Sequence, residues 1–171
     1  MNTEQYREEI KNTIAPHYNT NVSYVELYDT LCDAINLGGT IDTLKRALFY
    51  ANKGPTEPAQ IAMPILMQEQ IYVLHGIIGL IGEACELAEV ALDLIESGGH
   101  IDTINAVEEV GDVLWYTDLI TNGLGVSLEA ALDANVAKLK ARYPDKFSYD
   151  GRLNNDKQAE RDAISNALSN S

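Results

Sequence analysis

The sequence predicts an all-α fold, and three observations carry that expectation. Between its glycine and proline breaks the apolar residues recur at three- and four-residue spacings rather than in alternation. The breaks themselves fall at Gly38-Gly39, at GPTEP (54–58), at Gly98-Gly99, at Gly123 to Gly125 and at Pro144. No segment reads as a strand. The chain of 171 residues, 46% hydrophobic and 22% charged, has the length and balance of one cored domain with some decoration.

The breaks and spacings predict helices near 3–13, 23–37, 40–52, 66–97, 101–122 and 127–142. Asp102 or Thr103 is placed to cap the fifth, and the Ser127 hydroxyl can accept a backbone N–H ahead of the Leu-Glu-Ala-Ala-Leu run. The hexamers GGTIDT (38–43) and GGHIDT (98–103) each follow one helix and open another. From residue 148 the chain turns polar, with scattered apolar positions such as Ala163, Ile164 and Leu168, as in a weak helix or a disordered tail. The expected organisation is therefore an N-terminal helical extension (1–60), a core (61–147) and a polar C-terminal tail (148–171).

A net charge of −14 opposes contact with nucleic acid phosphates, so no nucleic acid partner is expected. No uninterrupted run of 18 apolar residues is present and the N-terminus, MNTEQYREEIKN, is polar. The expectation is a cytoplasmic protein without a membrane span. Cys32 and Cys85 form neither a metal-type spacing nor a disulfide framework, and Cys85 reads as a small core residue.

The segment from Gly82 to Tyr116 holds nine carboxylates, whereas no Lys or Arg lies between Lys53 and Lys138. Helical geometry sorts these acids. Glu83 and Glu86 border the broad apolar arc of their helix, on a stripe with Tyr72, Gly79 and Val90, while Glu89, Asp93 and Glu96 lie farther round on an ordinary solvated face. On the next helix Asn105, Glu109, Asp112 and Tyr116 share one stripe of a surface that is otherwise mostly apolar. A lone buried carboxylate costs several kcal/mol unless it is paired or neutralised. Two helices that each offer an i, i+3 pair would supply four oxygen-bearing groups: Glu83, Glu86, Glu109 and Asp112. That set suits a hard ion such as Mg²⁺ or Mn²⁺. A di-iron carboxylate bundle would need Glu-x-x-His on two helices, a spacing that His75 and His100 do not provide.

The strings HGIIGLIGEACELAE (75–89), EEVGDVLWY (108–116) and NVAKLKARYP (135–144) resemble those of the MazG-like nucleoside triphosphate pyrophosphohydrolases of the all-α NTP pyrophosphatase superfamily. The resemblance covers roughly residues 70–147. Its signature pairs, Glu-x-x-Glu and Glu-x-x-Asp, fall on Glu83/Glu86 and Glu109/Asp112. It implies a four-helix-bundle-type core completed by dimerisation or tetramerisation, and Mg²⁺-dependent hydrolysis of a (d)NTP to the monophosphate and pyrophosphate. It further implies that the four carboxylates hold the metal and that Tyr116 and Trp115 lie near the nucleotide, although both positions also suit plain core aromatics.

Glu83 or Glu86, where not fully engaged as a ligand, is placed to orient or deprotonate the attacking water. On the last core helix Asn135 follows the inward seam. Lys138 and Arg142 lie within a turn or two of it, placed either for phosphate oxygens or to complement the helix C-terminus. The chain departs from the resemblance in one respect. Many phage-type relatives carry a Lys-containing FYGK-like segment between the acidic helices, where this sequence reads LIESGGHIDT. A similar string, TLKRALFYANKG (43–54), precedes them instead. The N-terminal helices therefore either fold over the site and deliver Lys45, Arg46 or Lys53, or form an unrelated cap. The alternative to an enzyme is an acidic all-α interaction or regulatory module that keeps the fold without catalysis.

Overall fold

The computed structural model describes residues 1–15, 23–50, 65–148, 150–151 and 155–169, and these are helical with no strand. The helices are α1 (Thr3–Ile10, continued by a 3₁₀ turn Lys11–Thr13), α2 (Tyr24–Phe49), α3 (Gln68–Glu96), α4 (Thr103–Gly123), α5 (Leu128–Arg142) and α6 (Lys157–Ser169). They fall into two compact units. One comprises residues 21–125 with α2, α3 and α4; the other comprises 1–20 and 126–171 with α1, α5 and α6.

In the first unit α3 packs along both α2 and α4. Small residues allow this close approach. A Cβ at Gly79 would stand 2.1 Å from the Tyr116 ring, and one at Gly38 would stand 2.5 Å from the Cβ of Cys85. The second contact corrects an expectation, because α2 runs unbroken through Gly38-Gly39 where the sequence predicts two helices. Tertiary packing onto Cys85 outweighs the weak helix propensity of the glycine pair. The related pair Gly98-Gly99 does break the chain, with φ of 73° and 118° and nothing within 4 Å of either added Cβ. Asp102 then caps α4 by accepting from the backbone N–H groups of Ile104 and Asn105 at 3.0 and 3.2 Å.

By length and composition alone α3 qualifies as a candidate span, with a mean hydropathy of 1.5 over its best 18-residue window. The helix passes this test although no run of 18 apolar residues is present, because its best window holds at most two charged residues. In the structure α3 is a packed helix that buries Gly76, Gly79, Gly82, Glu83, Cys85 and Ala88.

In the second unit α1 and α6 each pack against α5. Ser127 caps α5 through the Ala130 N–H at 3.1 Å. The polar C-terminal segment forms the helix α6, which buries Glu160.

Candidate metal and nucleotide site

Carboxylates converge where α3 faces α4. Oxygen atoms of Glu83, Glu86 and Glu109 all lie within 4.8 Å of one another. Glu83 is 5% exposed and Glu109 7%, while Glu86 is more open to solvent. Asp112, one turn beyond Glu109, is exposed and stands outside this trio. Glu89, Asp93 and Glu96 face solvent.

The orientation of α4 accounts for the burial. The helix turns Glu109, Tyr116 and Thr121 inward and leaves Ile104, Val107, Val110 and Leu114 exposed. An amphipathic helix packed only for its own unit would do the reverse. Burial, followed by the negative charges of Glu86, Glu83, Glu108 and Asp112, raises the Glu109 carboxyl to about 7. Glu86 is also raised, by burial and then by Glu83. Like charges packed at this distance hold onto protons unless a cation joins them.

One cation does come from the protein, and it comes from α2. The Nζ of Lys45 lies 3.2 Å from Glu83 Oε1 and 3.2 Å from Asp42 Oδ1, and 5.1 Å from the centroid of the Tyr116 ring. Burial opposes its charge, yet the pull of Tyr116, Asp42 and Glu83 outweighs burial and raises its pKa above the ordinary lysine value. Of the two readings of the N-terminal helices, α2 therefore lies over the acids. Arg46 binds Asp42 and stays exposed, and Lys53 lies outside the described residues.

Beside the trio is a cluster of rings. His75 stacks on Phe49 at 4.0 Å and meets Trp115 and Tyr116 edge-on, and its Nε2 is 3.2 Å from the Tyr50 hydroxyl. Burial and then the charge of Lys45 lower the His75 pKa and favour the neutral ring. Tyr116 is buried, whereas Trp115 and Tyr50 are about half exposed. A cavity of about 200 Å³ lined by Asp42, Lys45, Arg46 and Tyr50 opens at this edge. Sequence reasoning missed His75, Phe49 and Tyr50. His75 sits at no ligand spacing, and the other two are separated from it by the segment between α2 and α3.

The three α5 candidates lie in the other unit, and two of them already have partners. Asn135 accepts a hydrogen bond from the Tyr6 hydroxyl at 3.2 Å. Arg142 makes a bidentate pair with buried Glu160, donating from Nε at 2.7 Å and Nη2 at 2.9 Å, which holds Glu160 down at about 2. Lys138 is in no ion pair among the described residues.

The described residues thus form an all-α protein in which α3 and α4 bring three carboxylates together. Residues 76–147, a little under half of the chain, match the family model of the MazG nucleotide pyrophosphohydrolase domain. Neither curated proteins nor solved structures gave a match. The family segment holds Glu83, Glu86, Glu109, Asp112 and Tyr116, but α2 and Lys45 lie before it.

Proposed function

We propose that this protein hydrolyses (deoxy)nucleoside triphosphates to the monophosphate and pyrophosphate with Mg²⁺, Mn²⁺ being a plausible substitute. The observation that carries this reading is the convergence of Glu83, Glu86 and Glu109 within the matched segment. The donor set fits a hard divalent ion. It consists of carboxylate oxygens only, and Glu86 and Glu109 are in no ion pair among the described residues.

Glu83, Glu86 and Glu109 would hold the ion, with Asp112 as the fourth ligand that the motif supplies. When bound, Mg²⁺ neutralises triphosphate charge and makes a water a better nucleophile at neutral pH. Glu86, the more open of the buried pair's neighbours, or Glu83 accepts the proton of the attacking water as its oxygen closes on phosphorus and the pyrophosphate leaves. Tyr116 and Trp115 lie toward the base. The exposed row Ile104, Val107, Val110 and Leu114 supports a homodimer or homotetramer.

Purified protein incubated with a panel of (d)NTPs and Mg²⁺ is expected to release pyrophosphate. Loss of a group that merely supports a metal ligand costs about 10–100-fold, so Glu109→Gln is expected to lower the rate by at least about 100-fold. Full activity in folded Glu109→Gln or Glu86→Ala would refute the assignment.

A further inference from the structure

Lys45 lies before the matched segment, yet its ammonium touches the site. It is 6% exposed, and both of its carboxylate partners are at 3.2 Å. Asp42 is shared between Lys45 and Arg46, Glu83 touches Lys45, and Glu86 and Glu109 are in no ion pair among the described residues. An incoming divalent ion would meet two free carboxylates, one shared carboxylate and a fixed like charge.

We infer that Lys45 is a positioning residue that acts as a resident cation of the acidic site, holding Glu83 in place and opposing the entry of a bare divalent ion. This rests on the metal-dependent reading above. A bare ion is repelled by the ammonium, whereas an ion carrying a triphosphate brings negative charge that the ammonium attracts. The ammonium therefore disfavours the bare ion relative to one that carries a triphosphate.

Calorimetric titration of the whole chain with Mn²⁺, without nucleotide, tests this. Lys45→Met is expected to bind Mn²⁺ at least about tenfold more tightly than the wild type, because a like charge a few ångströms from the ion is gone. Lys45→Arg, which keeps that charge, is expected to stay within about threefold of the wild type. A folded Lys45→Met that binds Mn²⁺ no more tightly would overturn the inference.

Removing one member of a buried pair can unfold a protein, whereas removing both is often tolerated. If circular dichroism shows Lys45→Met to be unfolded, the comparison passes to Glu83→Gln with and without Lys45→Met. The added substitution is again expected to tighten binding, and no gain would overturn the inference. Wild-type protein that binds Mn²⁺ without any gain from these variants removes only the role of Lys45. Absence of Mn²⁺ binding in every form, including with nucleotide present, removes the metal-dependent reading as well.

Discussion

At the scale of single residues the decisive feature is that buried acids outnumber the cation that reaches them. Glu83 has Lys45 at 3.2 Å, whereas Glu109 is in no ion pair among the described residues and is raised to about 7 by burial and then by neighbouring carboxylates. Because the folded state binds this proton more tightly than the unfolded chain does, stability falls as pH rises from the ordinary carboxylate range through about 7. Thermal melts in metal-free buffer are expected to show that fall. Glu109→Gln is expected to flatten it, and Mg²⁺ to reverse it by stabilising the ionised form. A melting temperature that rises over this pH window in metal-free buffer would contradict the electrostatic picture. The convergence of Glu83, Glu86 and Glu109 could be anticipated because two i, i+3 pairs fall on neighbouring apolar helices, although the same spacing leaves Asp112 exposed. Lys45 was only half legible: its presence near the motif was visible, but its contact with Glu83 spans 38 positions that helical spacing cannot relate.

At the scale of the elements, glycines govern how closely the helices pack. The hexamers GGTIDT and GGHIDT look alike in sequence and fold differently, one inside α2 and the other as the turn into α4. Gly38 is pressed on Cys85, while neighbouring Gly39 has nothing within 4 Å. Gly38→Ala is therefore expected to cost about 1–3 kcal/mol through overpacking. Gly39→Ala, helical and exposed, is expected to stabilise by about 0.5–1 kcal/mol. Denaturant unfolding of the two variants checks the opposite signs, and equal effects would mean that α2 does not lie on α3 as described. Helices α3, α4 and α5 were readable because their apolar periodicity is long and their ends are marked by Gly98-Gly99, Asp102, Gly123 to Gly125 and Ser127. The continuity of α2 was not, because it depends on a partner distant in sequence.

At the scale of the whole molecule, charge and apolar surface point the same way. A chain of net charge −14 is relieved by binding divalent cations, and the exposed row on α4 calls for a covering surface. Size-exclusion chromatography with light scattering is expected to give a dimer or tetramer that Val107→Glu dissociates; a monomeric wild type would exclude that covering by a second copy. The all-α class could be read directly from the sequence. The division into two compact units could not, because α1 and α6 flank α5 from opposite ends of the chain. The most direct test of the central claim is anomalous diffraction from crystals soaked in Mn²⁺ and a non-hydrolysable triphosphate analogue. The account predicts an anomalous peak within about 2.0–2.5 Å of carboxylate oxygens from Glu83, Glu86 and Glu109. A peak elsewhere, or none between α3 and α4 with the analogue bound, would contradict it.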